Sequence, residues 1–190
     1  MSHYRKCGVE NCCEAAQTAS HFSVKEITMS GFRFYHIQDK YINFLHSGDQ
    51  RVQFNKDHKR PYVGIVLNIH NVDYYVPLES PKPNHENIRS GGPVLKLDNG
   101  KLGVMGFNNM IPVPKCALLT FDFSDVHDKK YYNLLIDELN YCNHNKKIIY
   151  HRAEITYKKA TSGNVPLYSK VCCDFKKLEV MSRKYDPNYR

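Results

Sequence analysis

A chain of 190 residues holds one ordinary domain and is too short for two full ones. Its 42% hydrophobic and 24% charged composition, with 14 Tyr and 9 Phe, fits a packed core and excludes wholesale disorder, and the longest apolar run, Val63 to Leu67, falls far short of the roughly 20 residues of a membrane span. With 27 Lys and Arg against 19 Asp and Glu, the net charge of +8 favours polyanionic partners, nucleic acid first and anionic surfaces second.

The first 31 residues show no convincing period, carry Cys7, Cys12 and Cys13, and end at Met29-Ser30-Gly31. They read as an N-terminal extension, with Met29 an alternative start, ahead of a domain over 32–190. No apolar secretory segment follows Met1, so reduced thiols and a cytoplasmic location are the default. No Cys-x-x-Cys pair occurs among the seven cysteines, and neither metal nor cofactor is assigned. A zinc site built from Cys7, Cys12, Cys13 and His21 is the one arrangement left open.

From Phe32 the pattern sharpens. Phe32 to Ile37 reads as an aromatic strand, and Tyr41, Ile42, Phe44 and Leu45 are spaced for a short amphipathic helix over Gln38 to His46. Ser47 to Arg60 is a polar loop. Pro61 to His70 and Tyr74 to Leu78 form a β-hairpin around Asn71-Val72-Asp73. Glu79 to Gly92, rich in Pro and Gly, is a loop. Pro93 to Asp98 and Lys101 to Gly106 flank Asn99-Gly100, which suits a type I′ turn and a second hairpin. Met110 to Val113 is extended, and Cys116 to Phe121 is a further strand. Helices are expected over Lys129 to Tyr150, Arg152 to Thr161 and Asp174 to Tyr185. Strands first and helices last give an α+β fold with a mainly antiparallel, strongly twisted sheet and a helical C-terminal part.

No Walker loop, G-x-G-x-x-G, H-E-x-x-H or EF-hand pattern is present. A basic protein without a metal cluster can still cut RNA, because the 2′-hydroxyl lies beside the scissile phosphorus. Such a protein must orient that hydroxyl, assist proton movement and stabilise charge on the nonbridging oxygens. The best cluster for this work is Leu78-Glu79-Ser80-Pro81-Lys82-Pro83-Asn84-His85, at the end of a strand. Ser80 offers a hydroxyl and Lys82 a compact cation, with Pro81 and Pro83 stiffening the backbone between them. Glu79, His85 and His36 are titratable candidates. A stiff polar surface turn explains the same residues equally simply.

The surrounding order weighs against that simpler explanation. Phe34-Tyr35, Lys40-Tyr41-Ile42, Asp49-Gln50-Arg51-Val52, Arg60-Pro61-Tyr62-Val63-Gly64-Ile65-Val66-Leu67, Tyr75 to Lys82, Leu102 to Val113 and the tail from Cys172 to Tyr185 together resemble the ToxN/AbiQ family of endoribonuclease toxins. The resemblance runs from about Phe32 to Tyr185. It implies a compact, highly twisted sheet wrapped by peripheral helices, similar to the MazF/Kid toxins. It also implies metal-independent cleavage of single-stranded, often A-rich RNA to 2′,3′-cyclic phosphate and 5′-hydroxyl ends. The implied partners are cellular or phage mRNA substrates and a repeat pseudoknot RNA antitoxin, processed by the toxin and held in a closed protein–RNA assembly. No protein antitoxin and no membrane are implied.

By motif, the family's functional positions fall on Tyr41, Arg60, Ser80 and Lys82. Some relatives carry a hydroxyl residue at the place of Glu79, which leaves the proton-transfer role open, and some have lysine at Arg60. Phe54 is the nearest match to an aromatic found in some relatives. Phe107, Asn108 and Asn109 would form part of a base pocket. Arg51, Lys59, His85, Lys146, Lys147, Arg152, Lys158 and Lys159 would contact RNA, in keeping with 13 basic against 6 acidic side chains from Lys129 onward. Tyr157 and Tyr168 either stack on bases or pack between helices. A noncatalytic RNA-binding module and a basic protein-interaction domain are the rival readings.

Overall fold

The computed structural model describes residues 31–55, 60–89 and 91–188. Met29, Cys7, Cys12, Cys13, His21 and Lys59 lie outside the described residues, as does all of the expected N-terminal extension except Gly31. Within them, seven strands form one sheet in the order β4-β5-β3-β2-β1-β7, with β6 also on β3. The expected α+β architecture is present, with the helices concentrated after the strands.

β1 (Arg33–Ile37) leads into α1 (Asp39–Gly48), which buries Tyr41, Ile42 and Leu45 and places Asp39 in its first turn, where the helix dipole favours a carboxylate. β2 (Tyr62–Ile69) and β3 (Val72–Glu79) form the central hairpin. Its two-residue turn is His70-Asn71, both left-handed at φ 49° and 63°. The reversal therefore comes one residue before the expected Asn71-Val72-Asp73, and Val72 already pairs with Ile69.

Leu67 opposes Tyr74, yet Val63 opposes Val76, so β2 carries two extra residues between those pairs. Gly64 lies in this bulge, and a Cβ there would stand 2.1 Å from Tyr75 Cδ1. The aromatic ring occupies the space that a side chain at position 64 would need.

β3 is paired along both edges. On the side away from β2 it meets β6 (Ile111–Pro112) through Tyr74↔Pro112 and Tyr75↔Ile111, then β5 (Val104–Gly106) through Leu78↔Met105 and Glu79↔Val104. β4 (Val94–Lys96) completes that end, and β7 (Leu118–Thr120) pairs with β1 at the other. β7 is shorter than the expected Cys116 to Phe121 strand because Lys115–Ala117 forms a 3-10 turn. The β4–β5 reversal is also displaced: Asp98 and Asn99 are left-handed at φ 43° and 56°, and Gly100 follows at 96°. The turn thus opens at Asp98, whose short polar side chain tolerates this region.

The expected helix from Lys129 to Tyr150 is instead two, α2 (Lys129–His144) and α3 (Lys146–Thr161). Asn145 separates them: its side chain amide donates to Tyr141 O at 2.9 Å and its backbone leaves helical geometry at φ −105°, ψ 22°. A short α4 (Pro166–Val171), opened by its proline, was not expected from periodicity. α5 (Phe175–Lys184) starts where Asp174 accepts from Lys177 N, in line with the expected segment.

A buried carboxylate ties the helices to the sheet. Glu179 on α5 accepts from Tyr74 Oη on β3 at 2.9 Å and from Tyr157 Oη on α3 at 2.6 Å. Tyr157 stacks on Phe175 with ring centroids 5.8 Å apart, so it packs between helices and is not available to stack on RNA.

Two outcomes are expected. Gly64→Ala forces the Tyr75 ring aside and lowers stability by about 1–3 kcal/mol, read as a fall of several degrees in melting temperature. Glu138 is buried on α2, and burial pushes its carboxyl up to about 8. A folded-state value above the unfolded one stabilises most below pH 4.5, and the contribution is lost as pH rises toward 8. Glu138→Gln should therefore flatten the decline of melting temperature between pH 5 and 8, and a slope unchanged from wild type would contradict it.

Candidate active site

The chain leaves the sheet at Glu79. Ser80 is exposed, Lys82 is extended at φ −138°, ψ 149°, and Pro83–Asn87 forms a 3-10 turn that begins with proline. His85 N–H donates to Lys82 O at 2.9 Å, which folds the turn back toward the strand. The His85 side chain is thereby only 5% exposed, with Nε2 3.8 Å from Glu79 Oε2. The same Glu79 oxygen accepts from Lys82 Nζ at 2.8 Å. One carboxylate oxygen therefore faces both an ammonium and an imidazole.

Lys82 is 45% exposed, and an ion pair this wet is worth about 0–1 kcal/mol. An anionic ligand can draw the ammonium away at little cost. His85 Nδ1 is buried without a hydrogen-bond partner among the described residues.

Gly103 sets the position of the strand end. It is left-handed at φ 88°, and a Cβ there would stand 2.1 Å from Glu79 O. Leu97 N–H donates to Gly103 O at 3.0 Å, so the β4–β5 loop is held against the Glu79-Ser80 backbone. Across β3, Leu78 N–H donates to Pro61 O at 3.1 Å, which brings Arg60 to the neighbouring strand entry. Arg60 is buried, and its guanidinium donates to the Gln53 side chain.

These elements enclose a cleft of about 250 Å³. Its polar lining is Gln53, Glu79, Asn84, His85, Asn108 and Asn109; its apolar walls are Pro77, Ile88, Val94 and Val104, with Gly106 between them. Glu79, His85, Asn108 and Asn109 thus share one site, Lys82 is bonded to it, Arg60 reaches it through Gln53, and Ser80 follows Glu79 directly. Phe54, next to Gln53, is 54% exposed, with its ring 4.0 Å from that of His46.

Other expected residues fall elsewhere. Tyr41 is fully buried and its hydroxyl donates to Pro112 O, while burial pushes that hydroxyl far above its ordinary value. It packs between α1 and β6, inside the core and outside the lining of the cleft. Phe107 is also fully buried, so its ring offers no face to a base. Arg51 lies in a different cleft, with Nε 2.8 Å from Asp49 Oδ1 and Nη1 3.1 Å from Ser169 O. Burial alone would raise the Asp49 carboxyl, but Arg51 and the Asp174 N–H together hold it below the usual range.

His36 sits near the β1–β7 edge against Phe121, ring centroids 4.8 Å apart, away from Glu79. Tyr168 is buried beneath Lys159, whose Nζ lies 5.0 Å from its ring. Lys146, Lys147, Arg152, Lys158 and Lys159 are strung along α3 over roughly 20 Å. Of these, Arg152 reaches the loop before β4, with Nη1 3.4 Å from Gly92 O, and Lys158 pairs with Glu154 at 2.6 Å.

Gln53 and Ile88 were missed by sequence reasoning, whereas Asn84 stands in the segment it singled out. Ile88 lies three residues beyond that segment and was within reach of it. Gln53 carries no local signal, because its place rests on a contact with the Arg60 guanidinium seven residues on. Among the described residues, no group of three or more His, Cys, Asp or Glu is placed to hold a metal ion, and no helix is long and apolar enough to cross a membrane.

A family profile described as "Toxin ToxN, type III toxin-antitoxin system" matches residues 33–183. The chain is 34% identical over 162 residues to "Endoribonuclease ToxN" of Bacillus thuringiensis subsp. kurstaki, spanning 80% of this chain and 84% of the relative. It is 29% identical over 177 residues to "Endoribonuclease AbiQ" of Lactococcus lactis subsp. lactis, spanning 87% and 96%. Among solved structures, a bacterial type III toxin selectively inhibited by a non-coding RNA pseudoknot superposes with TM-score 0.71 at 32% identity, covering 84% of this chain and 100% of that one. AbiQ, a lactococcal anti-phage endoribonuclease of a type III system, superposes with TM-score 0.74 at 26% identity, covering 82% and 98%.

Gly103→Ala should push the β4–β5 loop off Glu79. The expected result is a lower melting temperature together with faster amide exchange at Leu97, while the β2–β3 ladder keeps its protection. Unchanged exchange at Leu97 would show that the contact is not what holds this loop.

Proposed function

This chain belongs to the family of ToxN toxins of type III toxin–antitoxin systems, and from that premise we propose that it is an endoribonuclease toxin restrained by an RNA antitoxin. The observation that carries the site assignment is the Glu79–Lys82–His85 cluster at the end of β3, opening into a cleft with apolar walls.

In the proposed reaction the ribose 2′-oxygen attacks the adjacent phosphorus, the P–O5′ bond breaks, and the products are a 2′,3′-cyclic phosphate and a 5′-hydroxyl. A substrate phosphate takes Lys82 from Glu79, so the ammonium lies where negative charge grows in the transition state. The released Glu79 carboxylate accepts the 2′-hydroxyl proton, and His85 beside it takes part in proton transfer toward the leaving oxygen. Ser80 orients a phosphate oxygen, and Arg60 clamps a neighbouring phosphate through its planar fork. Nothing in this scheme requires a metal ion or cofactor.

Single-stranded RNA fits the proposal, because a duplex keeps its base edges paired while an unstacked base can enter a cleft of this size. The inhibitor in this reading is a folded repeat RNA, a pseudoknot cut to length by the toxin and retained on its basic surface. Release of the toxin arrests growth and limits phage. The net charge of +8 and the cations along α3 support attraction of either RNA.

Incubation of the purified protein with an adenine-rich single-stranded RNA in excess EDTA is expected to yield cyclic-phosphate and 5′-hydroxyl ends. Lys82→Ala should lower the rate about 10²–10³-fold, as loss of one transition-state donor does elsewhere, and Ser80→Ala should lower it in the same direction. Fragments ending in 3′-hydroxyl, a strict need for magnesium, or tight binding without products would overturn the proposal.

A further inference from the structure

Gln53 meets the cleft from a loop that is pinned on both sides of it. Val52 is buried, and its N–H donates to Asp49 O at 3.0 Å. Asn55 is fixed by its whole amide: Nδ2 donates to Ile37 O at 2.5 Å and to Asp39 Oδ1 at 2.8 Å, and Oδ1 accepts from Tyr62 Oη at 3.2 Å. The backbone between them has little freedom. The half-buried Gln53 side chain bonds Arg60 and lines the cleft along with Pro77 and Glu79.

Arg60 decides which end of that amide is which. A guanidinium can only donate, so the atom turned toward it is the amide oxygen Oε1. Turning the amide over would set N–H against N–H. The donor end, Nε2, is therefore the end left for the cleft. The cation itself supplies an independent observation: Arg60 is only 7% exposed, its side chain bonds a neutral amide, and no carboxylate of the described residues pairs with it. Buried charges are ordinarily paired, because the lost water must be replaced by an opposite charge.

A phosphodiester brings the anion that this guanidinium lacks. The field of Arg60 also draws electron density toward Oε1 and so strengthens the N–H donors at the other end of the amide. We propose that Gln53 is a phosphate-contacting residue, its Nε2 donating to a nonbridging oxygen of the phosphate next to the scissile one, and that Gln53 and Arg60 are two halves of one clamp. The inference rests on the endoribonuclease reading and adds to it a side chain that touches the substrate. The bond is made one linkage away from the reacting phosphorus, in ground state and transition state alike, so it acts on KM more than on kcat.

Gln53→Glu is the discriminating variant. It keeps the chain length and an oxygen for Arg60, but it has no N–H and adds a negative charge. Its melting temperature should equal or exceed that of the wild type, while KM for an adenine-rich single-stranded RNA rises about tenfold or more and kcat changes less than about threefold. The phosphates on the two sides of the scissile one are then replaced in turn by neutral methylphosphonate, with a 2′-O-methyl group on the preceding sugar to keep that linkage intact. In the wild type, one of the two replacements should raise KM about tenfold or more over the 2′-O-methyl control. In Gln53→Glu the same replacement should leave KM within about twofold or lower it, because the carboxylate repels a charged phosphate.

An unchanged KM in Gln53→Glu, a methylphosphonate penalty of wild-type size in that variant, or no penalty at either linkage in the wild type would overturn the inference and leave the functional reading standing. A side chain that only props the loop would leave the penalty intact. If Gln53→Glu does not fold, Gln53→Met, which lacks the N–H, decides by the same measurements. A wild-type protein that cuts no single-stranded RNA overturns both.

Discussion

The end of β3 is the constraint on which the site depends. This strand is bonded on one edge to β2 and on the other to β6 and β5, so its backbone has few ways to move. Gly103 then seals its last residue from above by lying against the Glu79 carbonyl, a contact closed to any side chain. Glu79 leaves the sheet from a fixed point, and everything after it inherits that precision. Pro81 and Pro83 limit the path of the chain, and the bond from His85 N to Lys82 O returns it. A cation, a carboxylate and an imidazole meet because the main chain leaves them few alternatives.

The helices hold the same strand from behind. Tyr74 lies on β3 and gives its hydroxyl proton to Glu179, which also accepts from Tyr157. A buried carboxylate is costly unless its lone pairs are satisfied, and here two phenols on different elements satisfy one oxygen while Lys176 stands 3.7 Å from the other. Such a network rewards a single arrangement of α3, α5 and β3 over looser packings. Sliding α5 by one turn would strand both phenols. The helical C-terminal part therefore orients the strand that leads into the cleft, besides covering the core of the sheet.

What could be read from the chain follows the range of the forces involved. The central hairpin, α1 and α5 were legible because their signals are local: alternation, a 3.6-residue stripe, an acidic cap. The Glu79 to His85 segment was legible because chemistry and backbone restriction coincide in seven consecutive residues. Tyr41 and Phe107 lie in the core, which type and motif position do not report, and a hydroxyl aimed at Pro112 O looks in sequence like one aimed at solvent. Arg51 stands apart from the β3 cleft because Asp49, two residues earlier, takes its guanidinium in both oxygens. Asn145 breaks a helix that periodicity would carry through, since its amide offers the backbone a competing bond. Gln53 could not be found, because its place rests on a side-chain contact with Arg60 that no local pattern signals. The ToxN/AbiQ resemblance supplied the family and the fold, while the grouping of residues around the cleft rests on distances that no motif encodes.

The distribution of charge sets a basic helical part apart from a mostly neutral cleft. Between Lys129 and Arg190 there are 13 basic and 6 acidic side chains, whereas the lining of the cleft is mostly neutral amides and aliphatic groups, with Glu79 tied to Lys82. Exposed lysines along α3 act on any polyanion and act through water, so their pull weakens as salt rises. Groups inside the cleft act only on what enters it, at hydrogen-bond distance, where screening is small. The cations therefore lie on the helices after residue 128 and the neutral amides around the β3–β5 junction, and Arg152 reaches from α3 to the Gly92 carbonyl at the margin of β4.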